Sequence, residues 1–153
     1  MRILGLDAST TTIGWSIIEF NEEKFELKTY GYYKPLKDIN IFESLNETRK
    51  FVQDLIIHYV PDEVVIEEFL LFMKGKSNAK TISSLAILNR TVGLACFNVG
   101  KMPTLLSVTK VRHAIKKDKI LPPKEDIPEL VSSYLNKDFP WQYNIKGRAK
   151  GKP

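Results

Sequence analysis

Two short apolar runs in this chain each end in an acid, and that repetition narrows the choice of folds more than any other feature. Ile3-Leu4-Gly5-Leu6 leads into Asp7, and Val64-Val65-Ile66 leads into Glu67. The second run is too short for a helix and apolar at consecutive positions, as expected of a strand covered on both faces. If both runs are central, adjacent and parallel strands, the two carboxylates emerge at the same carboxyl edge of the sheet, where open α/β folds place their sites. An acid after a strand often does no more than open a loop. It is the joint occurrence, in the right order of elements, that points to function.

That order is legible along the chain. Arg2 to Asp7, Ile13 to Phe20 and Phe25 to Tyr33 are rich in β-branched and aromatic residues and are separated by short polar breaks, which predicts an antiparallel meander. Pro35 closes the third strand. From Ile41 to Tyr59 apolar residues recur at the spacing of one helix face, and Glu63 to Glu67 then forms a strand parallel to an earlier one. Helical spacing returns from Thr81 to Val99, with Gly100 as the stop. Thr104 to Val108 reads as a fifth strand, Thr109 to Ile115 as a helical turn, and Ile127 to Leu135 as a last helix after the Pro122-Pro123 break. Ser9, Thr10, Thr11 and Thr12 fill the first break, where turn formation is the simpler reading than phosphate binding.

Hard oxygen donors at positions 7 and 67 would suit Mg²⁺ or Mn²⁺. Two like charges held close in a low-dielectric site push one toward its protonated form, and a cation removes that cost. A pair of metals about 3.5–4 Å apart would activate water and stabilise a leaving oxygen in phosphodiester cleavage. Neighbouring strand residues point to opposite faces, so only one of Glu67 and Glu68 can fully share the side of Asp7; Glu67 is favoured.

Composition bears on the partner. With 153 residues the chain is long enough for one compact domain, expected over 1–143, followed by a basic and mobile segment over 144–153. The formal charge is +5, with the excess mostly beyond position 70, which favours a polyanionic partner. Lys74, Lys76 and Lys80 around Gly75 can track a DNA backbone, and Phe69 and Phe72 can stack on exposed bases, although either Phe serves equally well in a core or an interface. Lys110, Arg112, Lys116, Lys117 and Lys119 form a second basic cluster. The single cysteine, Cys96, lies in an apolar run and predicts a buried, inert thiol and a reducing compartment. No secretory leader or membrane span is expected, so the expected location is the cytoplasm of a bacterium or a phage-infected host cell. His58 and His113 show no zinc-ligand spacing.

Ile3 to Ser9 followed by Ile13-Gly14-Trp15-Ser16-Ile17-Ile18 resembles the opening motif of RuvC-type Holliday junction resolvases, and Val65-Ile66-Glu67-Glu68 resembles their second motif. The likeness runs over roughly positions 1 to 135 and is nearest in character to phage or virus members of the family. It implies a ribonuclease H-like fold: an α/β domain with a five-stranded mixed sheet, antiparallel meander plus parallel strands, and helices on both faces. It also implies a homodimeric endonuclease, dependent on Mg²⁺ or Mn²⁺, that resolves four-way DNA junctions by paired nicks. In this reading Asp7 and Glu67 are the catalytic metal ligands, Phe69 or Phe72 contacts unpaired bases, and Arg112 and Lys124 fall where the family carries phosphate-binding lysines.

The family's closing Asp-rich helix is not visible before Pro153. Asp138, in Lys137-Asp138-Phe139-Pro140-Trp141, lacks the small apolar helix that should follow. Truncation of the chain is the expected explanation, and cleavage is expected of the full-length protein. The alternative is a protein that binds branched DNA without cutting it. An actin-like ATPase or sugar kinase fits less well, because its phosphate hairpin needs glycine soon after the acid, where Ala8, Ser9 and Thr10 stand. A YqgF-type relative shares the first motif, but the acid pair after Val65-Ile66 argues against it.

Overall fold

The computed structural model describes residues 1–22, 24–36, 38–68, 79–115 and 121–139. The chain divides into two compact units, Met1–Ser107 and Val108–Pro153.

The first unit is built on a five-stranded sheet. Its strands are β1 (Arg2–Ala8), β2 (Ile13–Asn21), β3 (Lys24–Tyr33), β4 (Glu63–Glu68) and β5 (Thr104–Ser107), in the order β3-β2-β1-β4-β5. The first three strands form the expected meander, with β1 antiparallel to β2 and β2 antiparallel to β3. The crossover strands then add to the other side of β1, with β4 parallel to β1 and β5 parallel to β4. Predicted and observed strand ends agree to within a residue.

Alternation along the strands sorts side chains to two faces. Leu4, Leu6 and Ala8 on β1, Ile13 and Ile17 on β2, and Val64 and Ile66 on β4 are all buried in one core cluster. Helix α1 (Ile41–Tyr59) adds Val52, Leu55 and Ile56 to it, and helix α2 (Ala79–Asn98) adds Val92, Ala95 and Cys96. Burial pushes the Cys96 thiol up to about 11, consistent with an inert core sulfur.

The helix ends follow local chemistry. The Asn40 side-chain oxygen accepts from the backbone N–H of Phe42 at 2.8 Å and caps α1. Val60 ends that helix at φ 45°, a costly conformation for a β-branched residue, and buried Pro61 prevents any further turn. Gly100 adopts φ 78°, and the Lys101 N–H reaches back to the Cys96 carbonyl at 3.0 Å, so α2 stops where the glycine predicted.

Aromatic packing at the meander depends on one glycine. Trp15 lies against Tyr59 with ring centroids 5.5 Å apart, and Tyr33 stacks on Phe51 at 4.4 Å. A Cβ at Gly31 would stand 2.8 Å from the Trp15 ring, so only glycine lets the indole lie across β3. The β2–β3 register shifts between Ile17 and Ile18, leaving Lys28 as the extra residue of a bulge. At the end of the sheet away from Asp7, Arg2 donates to Glu19 at 2.8 Å and Lys28 reaches the same carboxylate at 3.2 Å, holding its pKa below the ordinary value.

The second unit contains helix α3 (Val108–Ile115), a single 3-10 turn over Lys124–Asp126 and helix α4 (Ile127–Leu135). Asn136 closes α4 in the left-handed conformation, and the Lys137 N–H bonds to the Ser132 carbonyl at 3.0 Å.

Replacing Gly31 by alanine should lower stability by about 1–3 kcal/mol through displacement of Trp15. The urea midpoint measures this, with Gly14→Ala as the comparison, since a Cβ there meets nothing within 4 Å. Equal midpoints for the two variants would refute the packing argument.

Candidate active site

The β1–β4 register pairs Leu4 with Val64 and Leu6 with Ile66, so one step further along each strand stand Asp7 and Glu67. Both therefore lie beside each other at the carboxyl edge of the two central strands. They share a face as well. The buried partners Leu4, Leu6, Val64 and Ile66 occupy the side covered by α1 and α2, and residues offset by one, Asp7 and Glu67, project from the opposite side. Glu68 falls on the helix-covered side with Val64 and Ile66, which separates the two neighbouring acids by sheet geometry alone.

Space beside Asp7 comes from its antiparallel neighbour. Asp7 pairs with Gly14, and a Cβ built on Gly14 meets nothing within 4 Å. Asp7 is exposed and Glu67 half-buried, so the pair is accessible from solvent.

The adjoining turn is self-contained. The Ser9 hydroxyl donates to the Thr12 carbonyl at 2.8 Å and accepts from the Thr12 N–H at 3.1 Å, while the Ser9 N–H bonds to the same carbonyl at 3.0 Å. These groups hold the β1–β2 hairpin, the role that the sequence favoured for them.

On its core side the site is tied to α2. The Asn89 side-chain amide donates to the Glu67 backbone carbonyl at 2.9 Å. Sequence reading of α2 followed its apolar positions and passed over this residue. The signal available was a polar side chain within the buried stripe between Leu88 and Val92.

The other sequence-derived candidates are placed as follows. Lys80 is exposed in the first turn of α2; Arg112 is half-buried on α3; Lys124 is exposed at the start of the 3-10 turn. Phe69, Phe72, Lys74 and Lys76 lie outside the described residues. Asp138 is exposed beyond α4. Among the described residues no three His, Cys, Asp or Glu side chains cluster as a metal cage. Asp7 and Glu67 provide two carboxylates. Hard oxygen donors in that number suit Mg²⁺ or Mn²⁺, which bind through one or two carboxylates and fill their remaining positions with water and phosphate.

Comparison with known proteins bears on the family and the fold. The family model described as crossover junction endodeoxyribonuclease RuvC matches residues 3–136. A protein of that name from Clostridioides difficile (strain 630) is 29% identical over 140 residues, covering 89% of this chain and 78% of the relative. Another, from Fusobacterium nucleatum, is 29% identical over 86 residues, which are 56% of this chain but only 43% of the relative. Among solved structures, T. thermophilus RuvC in complex with Holliday junction substrate superimposes with a TM-score of 0.75 at 17% identity, over 93% of this chain and 83% of that one. The yeast mitochondrial Holliday junction resolvase Ydc2 superimposes with a TM-score of 0.55 at 14% identity, over 74% and 52% respectively. These superpositions bear on the fold, which is ribonuclease H-like. From the matched span of 3–136 and the order of its strands, the chain belongs to the RuvC family of crossover junction endodeoxyribonucleases.

Proposed function

We propose that this protein resolves four-way DNA junctions by paired phosphodiester nicks, with Asp7 and Glu67 as the ligands of a catalytic Mg²⁺ or Mn²⁺. The observation that carries the reading is the juxtaposition of those two acids, one step past Leu6 and Ile66 on the same sheet face, within a chain of this family. When bound, such a cation supplies a Lewis acid and a more acidic water for attack on phosphorus. The chain's own contribution is positional. Asp7 and Glu67 fix the cation at the sheet edge, and Gly14 leaves room beside Asp7 for a phosphate. Two carboxylates leave coordination positions for that phosphate and for water.

DNA contacts are assigned to Lys80, Arg112 and Lys124 and, outside the described residues, to Phe69, Phe72, Lys74 and Lys76. The basic excess beyond position 70 supports this assignment. A reducing cytoplasm fits the lone buried thiol, and no helix among the described residues is long and apolar enough to cross a membrane. The rival reading, a protein that binds junctions without cutting them, draws on the pair of carboxylates where a fuller cage would hold metal more firmly.

Paired nicks need two sites, and each chain carries one Asp7–Glu67 pair, so the working form is a homodimer. Ile87, Leu94 and Phe97 are exposed along one stripe of α2, opposite the side that buries Leu88, Val92 and Ala95. Homodimer interfaces bury apolar surface of this kind.

Three measurements test the reading. Saturating Mn²⁺ should raise thermal stability, by about 2.7 kcal/mol at a hundred times Kd, in the wild type but not in Asp7→Asn or Glu67→Gln; equal rises in all three would remove the metal assignment. A synthetic four-way junction with Mg²⁺ or Mn²⁺ should be nicked symmetrically, and Asp7→Asn should lose more than the roughly 10–100-fold typical of residues that only support a metal ligand. Tight binding without nicks in either metal would favour the rival. Sedimentation should show a dimer that Leu94→Glu converts to monomer; an unchanged mass for the variant would dismiss the α2 stripe as the interface.

A further inference from the structure

Helix α2 carries a polar residue on its core face. Asn89 lies between Leu88 and Val92 and is 1% exposed. Its Nδ2 donates to the Glu67 carbonyl at 2.9 Å, and its Oδ1 has no partner among the described residues. The amide cannot be turned over, because that would set two oxygens against each other; the donor must face Glu67. A buried amide with an unmet acceptor is less stable than an apolar side chain of similar volume in the same place. Leucine at this position would fill the space without that penalty.

What the amide supplies in return is confined to one atom. The β1–β4 register runs to Leu6 and Ile66, so on that side Glu67 stands one step beyond the paired stretch, while on the other side it pairs with Leu106 of β5. Its carboxylate leaves the sheet on the face opposite Val64 and Ile66, while Asn89 on α2 grips its peptide. On the β1 side, where strand pairing has ended, the bond from Asn89 adds to the β5 pairing a second hold on the Glu67 peptide, and with it on the direction in which the Cα–Cβ bond presents the carboxylate.

We propose that Asn89 is a positioning residue for Glu67, holding the second carboxylate in register with Asp7 for divalent-cation binding. This rests on the metal reading of the Asp7–Glu67 pair. Asn89 touches neither cation nor DNA; it acts through the backbone of the ligand residue, as outer partners of metal ligands do.

The test titrates the full chain with Mn²⁺ alone, following free ion by electron paramagnetic resonance, for the wild type, Asn89→Leu, Asn89→Ala and Asp7→Asn. In Asn89→Leu the dissociation constant should rise about 10-fold, with the metal-free melting temperature equal to or above that of the wild type and junction binding in EDTA unchanged. A purely structural asparagine would instead lower the melting temperature and leave Mn²⁺ affinity alone. Asn89→Ala lacks the same donor in a smaller side chain, so it decides the matter if the leucine variant does not fold. Unchanged Mn²⁺ affinity in whichever variant folds overturns the proposal. If wild-type protein binds Mn²⁺ through Asp7 yet leaves junctions uncut, the nuclease reading fails while the titration still decides the role of Asn89. If wild-type protein binds no Mn²⁺, both fall.

Discussion

The parallel pairing of β1 with β4 is the constraint on which the site depends. Asp7 and Glu67 stand sixty positions apart in sequence, and only the register that sets Leu4 against Val64 and Leu6 against Ile66 makes them neighbours. A slip of one residue would turn Val64 and Ile66 out of the core and point Glu67 into it. The apolar residues that precede each acid therefore do two jobs: they bury against α1 and α2, and their burial specifies which way the acids point. Stability and site geometry share one set of contacts.

This explains how much of the fold could be read from sequence. Strands with clear turn residues between them, such as Ile13–Asn21 and Lys24–Tyr33, announce themselves locally, and the spacing from Ile41 to Tyr59 marks α1 to the residue. The acid pair was legible for the same reason, because a terminal carboxylate after an apolar run is a local pattern repeated twice. Asn89 was not legible. Its role depends on the carbonyl of a residue twenty-two positions away, a contact that exists only once α2 has packed on β4. Nor could sequence show that Gly31 makes room for Trp15, since the demand comes from a side chain on a neighbouring strand.

Buried polar atoms show where the core departs from what packing alone would select. Thr48 on α1 and Asn89 on α2 each have a buried side-chain oxygen without a partner among the described residues. The two helices are in contact, and the other buried residues that they add to the core cluster are Val52, Leu55, Ile56, Val92, Ala95 and Cys96. For Asn89 the compensating bond to Glu67 is evident. For Thr48 the structure offers no matching explanation.

The bulge at Lys28 has a consequence for solubility. Strand β3 borders the sheet over ten residues and displays Phe25, Tyr30 and Tyr32 to solvent, a composition that invites another chain to add alongside. An extra residue in mid-strand breaks the even spacing that an incoming β-segment would have to match, and Lys28, already engaged by Glu19 and Glu26, puts an ion-paired cluster at that point. The border strand can thus remain long and aromatic while being a poor template for fibril-like growth.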